Sequence, residues 1–240
     1  MVIRVRAASV RYKGIIFDLF HTLTGRESER GSLPTTSSVL GVEQAAWNEA
    51  LVKGSRWRLS GQERDALTII RTLAHSIDPT IPEERIGEAS RMRVRAFREA
   101  LRNIPRRNID TLKTLRTEGF KLALLSNADA SEIEGWPESP LCGSFDAELF
   151  SCEVGHVKPE AEIYLRCLGM LGLAAEECLF VGDGGSDELQ GAQAVGLNPV
   201  LITGVISELW PEVIPARRSL VQLEIRDVPE LLGLLGITAS

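Results

Sequence analysis

Residues 13–20 read KGIIFDLF: a short apolar run, bounded by Gly14, that ends on a carboxylate, Asp18, before the polar group His21, Thr22, Thr24 and Gly25. Such a run reads as a buried strand with Asp18 at its carboxyl end. The design recurs twice. KLALLSNAD (121–129) runs into Ser126 and Asn127, and CLFVGDGGSDE (178–188) ends in glycines and acids. PVLIT (199–203) and SLVQL (219–223) predict two further strands. Helical stripes separate the runs: Ile109, Leu112 and Leu115; Ile163, Leu165, Leu168 and Leu171; Leu189, Ala192 and Val195. Strands alternating with helices predict an α/β fold, a doubly wound, Rossmann-like parallel sheet.

The interval between the first two strands breaks the pattern. Residues 25–106 carry no strand signal but helical runs at 43–53, 62–75 and 83–103, far longer than an ordinary crossover. An inserted all-helical domain is expected over 25–106, with the Rossmann-like core made of 1–24 and 107–240. The Gly-, Ser-, Thr- and Pro-rich segment 24–38 and residues 104–107 are the expected linkers, and two linkers around one insertion would permit a hinge.

The net charge of −6 argues against nucleic acid or a membrane surface as partner. Cys142, Cys152, Cys167 and Cys178 form no CxxC, and only His21, His75 and His156 are present, so neither a zinc site nor a disulfide framework is expected. MVIRVRAASVRYKG does not read as a secretory signal, and no run approaches 18 apolar residues. A cytoplasmic, reducing address follows as the expectation. The charge is uneven: residues 25–106 hold 14 basic and 11 acidic side chains, net +3, leaving −9 elsewhere. Arg91, Arg95, Arg98 and Arg102 recur on one helical face, opposite Val94, Phe97, Leu101 and Ile104. That face reads as a solvated stripe or, alternatively, as an anion-steering surface over the active site.

In an open α/β sheet, ligands bind beyond the carboxyl ends of the strands. Three strands bring Asp18, then Ser126 and Asn127, then Asp183 and Asp187 to that edge. A strand-end carboxylate can act as nucleophile, further carboxylates can share Mg²⁺, and a hydroxyl with an ammonium can hold an anionic group. The ammonium is Lys158 in GHVKPEAEIY, which stands before a helix whose dipole disfavours it, so a bound phosphate would account for it. His75 and His156 read as structural or surface residues, and Tyr164 as packing. Trp47 or Trp57 could reach a substrate pocket.

FDLFHTLTG (17–25), LLSNAD (124–129), the Lys158–Pro159 pair and VGDGGSDELQGAQAVGL (181–197) together resemble, in order, the four motifs of the haloacid dehalogenase superfamily. The insertion falls where that family places a helical C1-type cap. The resemblance implies a hydrolase in which Asp18 forms a covalent aspartyl intermediate. Ser126, Asn127 and Lys158 would bind the transferring group, and Thr22 would support the nucleophile's loop. Mg²⁺ would be held by Asp18, Asp183, Asp187 and the backbone carbonyl of Phe20.

Phe20 departs from the family's phosphatases, which carry an acid–base Asp at that place, a contribution of about 10²- to 10⁴-fold. His21 beside it is a possible proton source. The expected function is a Mg²⁺-dependent phosphatase of a small, anionic phosphorylated metabolite, a monomer or homodimer. Two alternatives stand beside it: a metal-independent 2-haloacid dehalogenase, and a catalytically weak protein that binds a phosphate ligand.

Overall fold

The computed structural model describes residues 12–25 and 33–237. Of the segment expected as a linker, residues 26–32 lie outside the described residues, as do residues 1–11 of the amino-terminal stretch. Among the described residues, β1 (Gly14–Phe17) is followed by five helices of the insert: α1 (Thr36–Leu40), α2 (Gln44–Val52), α3 (Arg56–Leu59), α4 (Ala66–Ile77) and α5 (Glu83–Arg102). There follow α6 (Arg106–Thr117), β2 (Lys121–Ser126), α7 (Ala130–Ile133), β3 (Ala147–Phe150), α8 (Ser151–Val154), α9 (Ala161–Leu171) and β4 (Cys178–Gly182). The last elements are α10 (Glu188–Ala194), β5 (Asn198–Ile202), α11 (Ile206–Leu209), α12 (Ile214–Arg218), β6 (Leu223–Ile225) and α13 (Glu230–Leu234).

The six strands form one parallel sheet in the order β3-β2-β1-β4-β5-β6. Side chains alternate between its two faces because the strand period is two. Ile15, Phe17, Leu122, Leu124, Leu179 and Val181 pack on one side, whereas Ile16, Ala123, Leu125 and Phe180 pack on the other. Helices cover both faces, which is why these strands are continuously apolar.

Two sequence expectations shift. The last strand is Leu223–Ile225, not 219–223, with Ile225 registered on Ile202. The edge strand β3 has no counterpart among the predicted strands: four residues that include Glu148, whose carboxylate accepts from Trp136 Nε1 at 2.8 Å and Gly143 N at 2.9 Å, are too short and too polar to read as apolar. In α9, Leu165 faces solvent at 55% exposure, and Ile163, Tyr164, Cys167, Leu168 and Leu171 form the buried stripe.

The inserted helices have a core of their own, with Leu40, Trp47, Ile69, Ile70, Leu73 and Ile86 at its centre. α4 is capped by Asp65, whose carboxylate accepts from Thr68 N. The far end of α5 joins the main core instead, through Leu101 and Ile104. No helix among the described residues is long and apolar enough to cross a membrane.

Candidate active site

The strand order reverses between β1 and β4, the place where an open α/β sheet presents a crevice at its carboxyl edge. Asp18 follows β1 directly and its N–H donates to Val181 O at 2.9 Å, so the chain stays paired to β4 up to the carboxylate. One oxygen, Oδ1, accepts from Lys158 Nζ at 2.6 Å, and Oδ2 accepts from the Thr22 hydroxyl at 3.1 Å. Lys158 Nζ also donates to Glu188 Oε2 at 2.5 Å. All of these groups are buried.

Asp183, after β4, completes the cluster. One carboxylate oxygen from each of Asp18, Asp183 and Glu188 lies within 4.8 Å of the others. Burial, opposed in part by Lys158 and reinforced by Asp183, holds Asp18 above the usual carboxylate range. Burial pushes Glu188 up to about 8, again opposed by Lys158 and reinforced by Asp18 and Asp183. Burial also works against the charge of Lys158, yet the carboxylates of Asp18 and Glu188 outweigh it and raise its pKa. Lys158 pairs with Asp18 and Glu188, and Arg217 Nη1 stands 3.4 Å from Asp183 Oδ2; three gathered carboxylates, a set of hard oxygen donors, suit a hard cation such as Mg²⁺.

The acid of this loop that the structure brings to Asp18 and Asp183 is Glu188. Asp187 is exposed and stands outside the cluster. Ser186 and Asp187 both adopt left-handed backbone, with φ of 53° and 52°, an uncommon conformation for residues that carry a Cβ. After that turn α10 begins with Glu188, whose Oε1 accepts from Gly184 N at 2.9 Å and whose backbone carbonyl accepts from the buried Tyr164 hydroxyl at 2.8 Å. Gly182 leaves the room: a Cβ there would lie 2.2 Å from Glu188 Oε1. The adjacent acids in Ser186-Asp187-Glu188 were the available signal, but only the turn selects between them.

Ser126 ends β2 with a fully buried hydroxyl that has no hydrogen-bond partner. An orphan of this kind at a strand end is consistent with a ligand-binding group. Asn127 braces the lysine: its Nδ2 donates to Lys158 O at 2.9 Å, and its Oδ1 accepts from Lys158 N at 2.8 Å. Phe20 packs edge-to-face on Phe97 of α5, centroids 5.1 Å apart. His21 has φ 60°, stands edge-on to Trp210 at 5.1 Å, and has Nδ1 3.8 Å from Asp183 Oδ2. Arg217 donates to Asp183 O at 2.7 Å. A cavity of about 500 Å³ opens over these groups.

Beside the site, four buried side chains join the inserted helices to the loop after β2. Arg58 donates to Asp129 at 2.8 Å and lies 3.8 Å from Glu132, while Arg93 pairs with Glu132. Burial, reinforced by Asp129 and opposed by both arginines, raises the pKa of Glu132. No sequence pattern singled these residues out, since they lie in three separate helices and a loop. The expected arginine stripe behaves differently from an anion-steering face. Arg91 is exposed, Arg95 pairs with Glu99 at 2.9 Å, Arg98 with Glu134 at 2.6 Å, and Arg102 with Glu138, and none of the four lines the cavity. Trp47 and Trp57 belong to the helical core, and the tryptophan on the cavity wall is Trp210. His75 approaches Ile81 O at 3.4 Å; His156 stands 3.5 Å from Glu160 on the surface, where Glu162 completes an exposed group.

Known proteins similar to this chain include phosphatases and dehalogenases by name. Pyrophosphatase PpaX of Halalkalibacterium halodurans is 29% identical over 131 residues, 54% of this chain and 59% of that protein. The chain thus spans less than two thirds of that relative. Glyceraldehyde 3-phosphate phosphatase of Methanocaldococcus jannaschii is 30% identical over 205 residues, covering 79% of this chain and 84% of the relative. Among solved structures, L-2-haloacid dehalogenase from Xanthobacter autotrophicus with chloropropionic acid covalently bound superposes with TM-score 0.62 at 19% identity, covering 95% of this chain and all of that one. A HAD phosphatase from Thermococcus onnurineus superposes with TM-score 0.59 at 23% identity, covering 93% and 98%. At such identities the two structures share the fold alone. The profile of the haloacid dehalogenase-like hydrolases matches residues 12–196, from the approach to β1 to the end of the loop after α10. A match that holds every group of the Asp18 cluster, together with the near full-length relative, shows that the chain belongs to the haloacid dehalogenase-like hydrolase family.

Proposed function

We propose that the chain is a Mg²⁺-dependent hydrolase of phosphoric monoesters. The observation that carries this reading is the buried trio Asp18, Asp183 and Glu188, with carboxylate oxygens within 4.8 Å of one another and Lys158 paired to two of them. Displacement of halide at carbon needs no such concentration of negative charge, whereas phosphoryl transfer depends on neutralising it. Asp18, Asp183, Glu188 and the Phe20 carbonyl would hold the cation. When bound, Mg²⁺ supplies positive charge for the carboxylates and for the phosphoryl oxygens.

The rest of the reaction falls to side chains of this chain. Asp18 attacks phosphorus, the ester oxygen departs, and an aspartyl phosphate forms on Asp18. Thr22 holds the Asp18 carboxylate in place, and Asn127 keeps the backbone of Lys158 in register with it. Lys158 neutralises charge on the transferring group, and the Ser126 hydroxyl, otherwise unpartnered, donates to it. Water then cleaves the acyl phosphate, regenerating Asp18 and releasing phosphate. The phosphatase relatives act on phosphorylated compounds by name, which agrees with this reading.

Phosphate release from p-nitrophenyl phosphate, measured with Mg²⁺ and after chelation, tests the proposal. Activity that requires Mg²⁺ and disappears in Asp18→Asn is the expected result. One observation favours a second reading: Phe20 and Phe97 present an apolar wall beside Asp18, as a haloacid site would need. Chloride release from 2-chloropropionate without metal, and no phosphate release with it, would establish the dehalogenase instead.

A further inference from the structure

The arginine-rich insert suggested an anionic substrate, but its charges are turned elsewhere. Among the described residues, every side chain that the insert contributes to the main cavity is apolar: Val52 from α2, and Ala96, Phe97 and Ala100 from α5. Phe20 and Trp210 extend the same wall from the core side. The cations on the cavity wall, Lys158 and Arg217, belong to the core and face Asp18, Glu188 and Asp183. Arg93 of the insert is not on that wall; it is buried against Glu132, which lines the cavity, and lies over the Phe97 ring, 4.7 Å from its centroid.

The mouth adds an independent observation. Val52 is 77% exposed and Trp210 36% exposed, two of the few large apolar side chains left open to water, and both border this cavity. Neither contributes to the buried core. Exposed apolar groups at the rim of a concave site mark a surface that a ligand covers.

We infer that the enzyme selects phosphoric monoesters whose alcohol part is apolar, an aryl or arylalkyl group, over polyhydroxylated or further charged ones. The inference rests on the phosphatase reading and adds the leaving-group side to it. The phosphoryl group meets the charged floor at Asp18, Lys158 and Ser126, while the organic group lies against Phe20, Val52, Ala96, Phe97, Ala100 and Trp210. A sugar or a second phosphate in that place would lose hydration without gaining a hydrogen-bond partner from the insert.

The test compares benzyl phosphate with glycerol 1-phosphate, whose leaving alcohols are of similar basicity, so that contact rather than proton demand is measured. With Mg²⁺ present, benzyl phosphate should show kcat/KM higher by about tenfold or more, the scale of burying several methylene equivalents. Val52→Asp, at an exposed position that tolerates change, and Trp210→Ala should each lower that ratio several-fold. Equal or better turnover of glycerol 1-phosphate, or a ratio unmoved by both substitutions, overturns the inference and leaves the phosphatase reading standing. Phosphate release from neither ester, nor from p-nitrophenyl phosphate, overturns the phosphatase reading and this inference with it.

Discussion

Two neighbouring acids, Asp187 and Glu188, face different surroundings, and under the proposed function only the buried one would help hold the cation. Glu188 lies in the buried cluster with Lys158, and Asp187 meets solvent. Mg²⁺ should therefore raise the melting temperature of the wild-type protein and of Asp187→Asn alike, by the stabilisation that binding to the folded state confers, about 2.7 kcal/mol at a hundredfold excess over Kd. Glu188→Gln should blunt that shift and raise the Mg²⁺ concentration for half-maximal activity by about tenfold or more, on the scale of perturbed metal sites. The same measurement on Asp187→Asn showing the larger loss would reverse the assignment. Phe20 poses the other residue-scale question. Introducing Phe20→Asp should raise turnover of alkyl phosphates toward the 10²- to 10⁴-fold that a general acid contributes. A folded variant with unchanged kcat would show that proton transfer is not what limits the wild type.

Elements meet at the site through polar groups rather than through apolar packing alone. α3 and α5 of the insert reach the loop that follows β2 by way of Arg58, Arg93, Asp129 and Glu132, and all four side chains are buried. Asp129 also caps α7, accepting from Ser131 N at 3.0 Å, so the network and the helix start share one carboxylate. Removing Arg58 leaves the buried Asp129 with only the more distant Arg93, 4.0 Å away, as counter-charge, and breaking a buried pair costs about 3–5 kcal/mol. Arg58→Met should lower unfolding stability by that amount in chemical denaturation, whereas Arg95→Met, on the exposed Arg95–Glu99 pair, should change it by less than about 1 kcal/mol. Comparable effects at the two positions would mean that the buried network does not anchor the insert.

Across the whole molecule, burial sorts the cysteines. Cys142 is exposed, whereas Cys152, Cys167 and Cys178 are buried and unpaired. Burial pushes Cys152 and Cys167 up to about 12 and Cys178 up to about 11, so at pH 8 these three are thiols rather than the reactive thiolates. An aromatic disulfide reagent at pH 8 should titrate one thiol rapidly in the native protein and four in denaturant. Two or more rapid native thiols would place a second cysteine at the surface. The charge division follows the same plan: the core is acidic where its carboxylates gather at the strand ends, and the basic surplus of the insert is spent on surface and interface pairs.

Much of the architecture was legible because it depends on local pattern. Apolar runs of four to six residues ending in Asp18, Ser126 and Asp183 specify strands buried on both faces, and the helical stripes between them leave a parallel sheet as the consistent arrangement. The edge strands were least legible, since β3 and β6 are three or four residues long and carry a glutamate each. Of the residues gathered here, Asp18, Ser126, Asn127 and Asp183 could be named from strand ends and Lys158 from the helix start after it, whereas Thr22 came from the resemblance to the family's motifs. Glu188 in place of Asp187, the Arg58–Asp129 and Arg93–Glu132 pairs, and the apolar face that α5 presents over Asp18 could not be named in either way. The sequence by itself determined which residues reach the carboxyl edge of the sheet, because in a parallel sheet the ends of the apolar runs all lie at that edge. Only the tertiary structure decided which acids face inward and where the arginines find their partners. Those outcomes hang on a left-handed turn at Ser186 and Asp187 and on contacts between residues tens of positions apart, and neither leaves a local pattern.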